Sequence, residues 1–139
     1  MVLVTGASGF LGGELVKQLV ANGESVRIIV RKSSHISHLN SIIHQLDVVE
    51  ADILDVPSLE LAFDGIEKIY HSAAVIGYDD SYYDVMYKTN VEGTANVVNV
   101  ALTKNVKKML HISSIAVSYT HLQAHETVLD IVCRLLLEK

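Results

Sequence analysis

The chain begins MVLVTGASGFLG over residues 1–12, a short apolar strand that runs directly into a turn with glycine at positions 6, 9 and 12. A helical pattern follows at once, with apolar side chains at the spacing of one helix face: Leu11, Leu15, Val16, Leu19 and Val20. A strand, a glycine loop and a helix in this order form an anion site, because the helix N-terminus presents unpaired N–H groups and a partial positive charge. The segment is typical of a loop that holds a dinucleotide pyrophosphate.

The three glycines have separate tasks in such a loop. Gly6 permits the tight turn, Gly9 lets the backbone approach the phosphates, and Gly12 lets the helix pack closely on the sheet. A glycine triplet by itself equally fits an ordinary strand-to-helix turn. A second apolar strand at 25–30 follows a turn at 22–23 and completes a βαβ unit of the expected length, which favours nucleotide binding.

Length and composition indicate a single globular domain. The 139 residues suffice for one core, half of them are hydrophobic, and 19% are charged. A net charge of -5 gives no reason to expect a nucleic-acid partner, and no apolar run reaches membrane-spanning length. Cys133 is the only cysteine, so no intrachain disulfide can form, and the N-terminus carries no signal-peptide pattern. We therefore expect a cytoplasmic protein without a membrane partner.

Strand and helix patterns alternate along the chain. Strands are predicted at 2–5, 25–30, 47–51, 68–71 and 108–113, and helices at 10–22, at 34–44, from Pro57 and at 81–104. Near-continuous apolar strands separated by helices indicate a parallel sheet that is covered on both faces. The predicted fold class is α/β, a Rossmann-like doubly wound parallel sheet with strand order 3-2-1-4-5, truncated after strand 5. Its ligand crevice is expected at the carboxyl ends of the strands, between strands 1 and 4.

Five short motifs occur in order over residues 1 to about 117. They are TGASGFLG at 5–12, ADILD at 51–55, HSAA at 71–74, NVEGT at 90–94 and HISS at 111–114. Through these motifs the chain resembles the extended short-chain dehydrogenases/reductases, the NAD-dependent epimerase/dehydratase family. Its dihydroflavonol-reductase-like and sterol-dehydrogenase-like members are the most similar in character. Each motif is short, and their order at the predicted strand ends makes the resemblance specific.

The resemblance implies that the glycine loop, the ends of strands 3 and 4, and the long helix supply the dinucleotide contacts. The implied residues are Gly6, Ser8, Gly9, Phe10, Leu11, Gly12, Asp52, Ile53, Ala73, Ala74 and Asn90. Asp52 is expected to accept a hydrogen bond from the adenine amino group, with Ile53 packed on the ring; the alternative is an aspartate that caps the next turn. Asn90 is implied to order the active-site end of the long helix, and the alternative is an exposed surface residue.

The resemblance also implies an active-site serine at the end of strand 5. Counting back from Val117 favours Ser114 over Ser113 for this role. The Ser114 hydroxyl would donate a hydrogen bond to a substrate carbonyl. Two ordinary loop serines are the alternative interpretation.

The end of strand 2 bears on the choice of nicotinamide cofactor. A site that prefers NAD usually carries Asp or Glu there, bonded to the ribose 2′-hydroxyl. Here the strand ends in VRKSS at 30–34, so Arg31 and Lys32 lie where a 2′-phosphate would be held. We expect NADP(H), with NAD(H) as the alternative if the two cations belong to a solvated loop.

No metal is expected, since the histidines near 34–44 have no cysteine or paired carboxylate beside them.

The chain departs from the family after strand 5. The family's proton transfer needs a tyrosine with a lysine four residues later, but Tyr119 is followed by Gln123 at this spacing. We therefore expect residues 1–117 to form an incomplete NAD(P)-binding domain. Residues 118–139 are expected to be a tail foreign to this domain, and the alternative is a divergent helix.

The expected function is that of the N-terminal cofactor-binding part of an NAD(P)-dependent oxidoreductase, epimerase or dehydratase, inactive by itself. Its partners would be the dinucleotide and a small carbonyl, sterol-like or nucleotide-sugar substrate, with a homodimer left open for the full-length protein. The alternative function is a non-catalytic dinucleotide-binding sensor or regulator of the atypical short-chain dehydrogenase type.

Overall fold

The computed structural model describes residues 1–113 of the chain. Within this range one parallel sheet is formed in the order β3-β2-β1-β4-β5, which confirms the predicted topology. The strands are β1 (Val2–Thr5), β2 (Val26–Val30), β3 (Leu46–Glu50), β4 (Lys68–His71) and β5 (Lys108–His111). The bounds of β1 and β4 are as predicted, and those of β2, β3 and β5 differ by one or two residues, which is the ordinary uncertainty of strand boundaries. The registers pair Thr5 with His71 and Val30 with Glu50, so the carboxyl ends of these strands share one edge.

Helices cover both faces of the sheet. They are α1 (Phe10–Ala21), α2 (Val56–Ala62), α3 (Tyr83–Tyr87) and α4 (Thr94–Thr103). Side chains alternate along β1, so Val2 and Val4 pack with Val16 of α1 on one face, whereas Leu3 packs with Val97 of α4 on the other. No helix in residues 1–113 combines the length and apolar character needed to cross a membrane.

The prediction of a helix at 34–44 is wrong. The segment instead forms two 3₁₀ turns, Ser37–Leu39 and Ile43–Gln45, and Leu39 is fully buried against the α1 side of the sheet. The backbone bonds are three residues apart, as in Leu39 N–H to Ile36 O at 2.9 Å. The segment contains three serines and one asparagine. Their side chains can hydrogen-bond to nearby backbone groups and so compete with the backbone bonds of a regular helix.

The long helix predicted at 81–104 is only partly correct. A 3₁₀ turn at Asp80–Tyr82 leads into α3, and a π-helical segment at Lys88–Gly93 joins α3 to α4. Asn90 lies within the π-helical segment, and its side chain bonds to the backbone of Val75. The wide turn therefore coincides with the residue that links this helical run to the end of β4.

Candidate functional site

A cleft lies at the carboxyl ends of β1, β2, β3 and β4, where the sequence predicts a ligand crevice. It is open to solvent on one side and encloses a volume of about 170 Å³. The predicted contact residues that line it are Gly6, Ser8, Gly9, Arg31, Asp52, Ile53, Ala73 and Ala74. The predicted contact residues outside its lining are Phe10, Leu11, Gly12, Lys32 and Asn90.

The glycine loop packs tightly on the segment after β4. Gly6 has a φ of +73°, and a Cβ there would come within 2.7 Å of the Ala73 amide nitrogen. A Cβ on Gly12 would overlap the Gly6 carbonyl oxygen, whereas a Cβ on Gly9 would meet that oxygen at 3.3 Å. Gly6 and Gly12 are therefore required by the packing of the chain itself. Gly9 is less constrained, since the Gly6 oxygen would have to move by only a few tenths of an ångström, and its open side borders a cleft that a ligand could fill.

Helix α1 begins beside this cleft without a side-chain cap. Its N-cap residue is Gly9, which has no side chain to bond the N–H groups of the first turn. Phe10 is 95% exposed, Leu11 is 53% exposed, and neither lines the cleft, so we expect them to contribute the backbone N–H groups of the first helical turn. An uncapped helix N-terminus of this kind suits an anionic ligand.

A buried hydrogen-bonded chain connects β1, β4 and α4 below the cleft, and sequence reasoning did not find it. The ring of His71 is fully buried between two threonines: its Nδ1 lies 2.7 Å from Thr5 Oγ1 and its Nε2 lies 2.9 Å from Thr94 Oγ1. The ring also stacks on His111, with ring centres 5.1 Å apart. Each threonine and His71 belong to one of the motifs quoted above, but no spacing in the sequence indicates that they touch.

The hydrogen bonds of this chain identify the protonation state of His71. Thr5 is fully buried and its Oγ1 accepts the Ala73 N–H at 3.2 Å, so its own proton is donated to His71 Nδ1. The ring proton then lies on Nε2 and is donated to Thr94 Oγ1. Burial, and to a smaller extent the neighbouring His111, lowers the pKa of His71 to about 4. Burial likewise lowers the pKa of His111. The His71 ring is therefore neutral near pH 7.

The segment after β4, which lines the cleft, is held from both sides. On the β1 side, Ser72 Oγ donates to the Thr5 carbonyl at 2.7 Å, and the Ala73 amide donates to the Thr5 hydroxyl. On the helical side, Asn90 bonds both backbone groups of Val75, each at 2.8 Å. Asn90 thus acts on the cleft through the backbone it holds and lies outside the lining itself.

The end of β2 forms a closed turn at the cleft. The Ser34 amide donates to the Arg31 carbonyl at 2.8 Å, and the Arg31 amide donates to Ser34 Oγ at 3.1 Å. Both residues line the cleft, whereas Lys32 lies in an adjoining depression that Arg31 also borders. Three carboxylate residues share that depression; they are Glu50, Asp52 and Asp55. The structure therefore places cations and carboxylates together at the predicted position of a 2′-phosphate.

The turn after β3 uses its aspartate locally. Asp52 Oδ1 accepts the Leu54 amide at 2.9 Å, which is the turn-capping arrangement, while the residue also borders the cleft. Ile53 is 8% exposed and packs on Gly93, where a Cβ would lie 2.6 Å from its Cδ1. Much of the Ile53 side chain is therefore used in the core, and only its remaining surface borders the cleft.

Two sequence predictions concern parts that this geometry does not include. Ser114 and the region of Tyr119 lie outside the described residues. Within residues 1–113, no three His, Cys, Asp or Glu side chains lie close enough together to hold a metal ion. Of the histidines near 34–44, His38 bonds the Ala7 carbonyl through Nε2 at 3.1 Å.

The chain is similar in sequence to known proteins. A chain segment of the sterol demethylase protein B of Methylococcus capsulatus is 35% identical over 112 residues, covering 81% of this chain and 34% of that protein. Cinnamoyl-CoA reductase 1 of Oryza sativa subsp. japonica is 35% identical over 139 residues, covering 96% of this chain and 40% of that protein. The chain thus spans between a third and two fifths of the length of these relatives.

A solved structure and a family profile agree with these relatives. The Bordetella bronchiseptica enzyme WbmG, solved in complex with NAD and UDP, superposes with a TM-score of 0.69 at 29% identity, covering 79% of this chain and 36% of that chain. The profile of the NAD dependent epimerase/dehydratase family matches residues 2–130. The chain therefore belongs to the NAD-dependent epimerase/dehydratase family, within the extended short-chain dehydrogenases/reductases.

Proposed function

We propose that the cleft binds a nicotinamide dinucleotide and that the chain is the cofactor-binding part of an oxidoreductase, epimerase or dehydratase. The observation that carries the proposal is the open side of Gly9 next to the uncapped start of α1. A Cβ at Gly6 or Gly12 is excluded by the protein, but one at Gly9 is excluded only if a ligand approaches the backbone there. The pyrophosphate of the dinucleotide is the anion of suitable size and charge.

The bound dinucleotide would supply the hydride chemistry, and the chain's own residues would bind and orient it. The N–H groups at the start of α1 would hold the pyrophosphate, and Asp52 and Ile53 border the part of the cleft proposed for adenine. Ala73 and Ala74 are small, so the cofactor can lie against the backbone after β4. Ser114 remains the proposed donor to the substrate oxygen.

Calorimetric titration of the 139-residue chain with NADP⁺ and NAD⁺ tests this proposal. Gly9→Val should abolish binding of both and lower the melting temperature much less than Gly12→Val, because a Cβ at Gly9 only crowds the Gly6 oxygen whereas one at Gly12 overlaps it. Ala21→Val, at the exposed far end of the same helix, is the matched control and should bind like the wild type. Unchanged affinity in Gly9→Val would contradict the proposed phosphate site.

We further propose NADP(H) as the preferred cofactor. Arg31 borders the cleft and Lys32 adjoins it, and a guanidinium is suited to planar recognition of a phosphate. Arg31→Asp should shift the preference from NADP⁺ toward NAD⁺, whereas Lys17→Asp, on the exposed surface of α1, should not. A wild-type chain that already prefers NAD⁺ would refute this choice.

The substrate is proposed at the level of a class. The relatives bear names that refer to a cinnamoyl-CoA and to a sterol, and WbmG was solved with UDP, which supports a small carbonyl, sterol-like or nucleotide-sugar substrate. A homodimer of the full-length protein remains a prediction. So does the domain boundary at residue 117 with a foreign tail at 118–139; the family profile continues to residue 130.

A further inference from the structure

One side-chain contact joins the glycine loop to the loop that follows β2. His38 Nε2 lies 3.1 Å from the Ala7 carbonyl oxygen, across 31 positions of sequence. A carbonyl oxygen only accepts, so Nε2 is the donor. The next residue, Leu39, is fully buried in the core on the α1 side of the sheet, which anchors the 3₁₀ turn that carries His38.

Helix α1 is shaped to receive this ring. A Cβ on Gly13 would overlap His38 Nε2 and would lie 2.7 Å from His38 Cδ2. Gly13 is the fourth residue of α1, and glycine is a poorer helix former than alanine, by roughly 1 kcal/mol in a helix interior. The packing of the His38 ring against the helix at Gly13 therefore offsets the helix-propensity cost of glycine at this position.

Both ends of the contact belong to segments that line the cleft. Ala7 is followed by Ser8, and because the peptide is planar and trans, a fixed Ala7 carbonyl also fixes the direction of the Ser8 N–H. On the other side, the turn closed by Arg31 and Ser34 directly precedes the segment that His38 holds. The His38 ring thus links the glycine loop, proposed to hold the pyrophosphate, to the segment that follows the Arg31–Ser34 turn, proposed to hold the 2′-phosphate.

We propose that His38 is a positioning residue for dinucleotide binding. By fixing the glycine loop and the Arg31 turn relative to each other, it raises the affinity for both dinucleotides and favours NADP⁺ over NAD⁺. The inference rests on the proposed function of the cleft. A loose Ala7–Ser8 peptide would weaken both dinucleotides. A loose Arg31 turn would weaken only the one that carries a 2′-phosphate, so NADP⁺ loses more.

The test measures both dissociation constants and the melting temperature in five variants. His38→Ala should weaken NADP⁺ about tenfold and NAD⁺ about threefold, as expected for the loss of one hydrogen bond and its ordering effect. His38→Gln should recover much of the affinity, because its amide can donate in place of Nε2. Gly13→Ala should weaken both dinucleotides as His38→Ala does, because its Cβ displaces the His38 ring. When added to His38→Ala it should have no further effect on binding, because the ring is already absent. His44→Ala removes an exposed ring of the same segment and should change nothing.

The outcomes distinguish a failure of dinucleotide binding by the cleft from a failure of the role proposed for His38. If the wild type binds neither dinucleotide, the proposed function is refuted and this inference falls with it. If the wild type binds but His38→Ala keeps both dissociation constants, the inference alone is overturned. A lower melting temperature with an unchanged NADP⁺ to NAD⁺ ratio would show a purely structural histidine and would also overturn it.

Discussion

The neutral, buried His71 ring predicts a specific loss of stability in mild acid. In the folded chain its Nδ1 accepts the Thr5 hydroxyl proton, so a second ring proton would leave that hydroxyl without an acceptor. In the unfolded chain the ring is solvated and takes up a proton freely. Acidification therefore favours the unfolded state through this residue, and the effect is absent when the ring is replaced by a side chain that does not titrate.

The magnitude follows from the two pKa values. The pKa of His71 falls from 6.5 in the unfolded chain to about 4 in the folded one, and a tenfold change in proton affinity corresponds to about 1.4 kcal/mol. The contribution of His71 to the free energy of unfolding is fully present above pH 6.5 and declines as the pH falls. At pH 4 the free energy of unfolding is lower by about 3 kcal/mol through this residue. Domains are usually stable by roughly 5–15 kcal/mol, so the loss is large enough to measure.

Urea denaturation of the 139-residue chain, followed by far-ultraviolet circular dichroism at a series of pH values, measures this effect. His71→Gln is less stable at neutral pH because it loses buried hydrogen bonds, but the difference from the wild type should shrink by about 3 kcal/mol as the pH falls to 4. Carboxylates such as Glu67, whose pKa is lowered by Lys107, titrate in both proteins and cancel in the comparison.

An exposed histidine provides the matched control. His35→Gln should lose stability in parallel with the wild type across the whole pH range. A His71→Gln variant that also ran parallel to the wild type would refute the lowered pKa of His71, since the folded chain would then protonate that ring as readily as the unfolded chain does.

Three further predictions follow from the same contacts. Nitrogen NMR of the histidine rings should show His71 protonated at Nε2 and unprotonated at Nδ1, and the opposite tautomer would contradict the assigned hydrogen bonds. Gly12→Ala should destabilise the chain by about 3 kcal/mol or more in urea, because its Cβ overlaps a backbone carbonyl, and a stability near that of the wild type would contradict the tight helix approach. Asn90→Ala should cost about 1–3 kcal/mol by leaving both backbone groups of Val75 unpaired, whereas Asn99→Ala, on an exposed position of α4, should have little effect; equal effects would argue against the Asn90 contact.

The order of the sheet and the location of the cleft could be predicted from the sequence, because both depend on local patterns. Alternating apolar strands and helical stripes determine a parallel sheet, and the glycine loop lies where β1 meets α1. Segments that follow neighbouring parallel strands necessarily meet at one edge. For this reason Arg31, Asp52 and Ala73 were expected in the same crevice, and the structure brings them together there.

The local conformation of the helical segments was harder to predict. The apolar spacing near 34–44 fits a helix, but two short turns suffice to bury Leu39 and to pack Ile36 and Ile42 against the same cluster. The irregular turn around Asn90 coincides with two hydrogen bonds between its amide and the backbone of Val75, 15 residues earlier. Periodicity reports which side of a segment is apolar, and it contains no information about such partners.

The side-chain contacts that hold the cleft together were decided only by the tertiary structure. Thr5, His71 and Thr94 come from three separate elements, and they form one buried chain only because the sheet register sets β4 beside β1 and α4 packs over both. The same holds for His38, whose ring reaches a carbonyl of the glycine loop across the space that Gly13 leaves open. The sequence by itself determined that the chain has a parallel α/β fold with a glycine loop at a strand end. Which polar groups satisfy one another depends on distances of about 3 Å between residues far apart in the chain, and only the folded arrangement sets those distances.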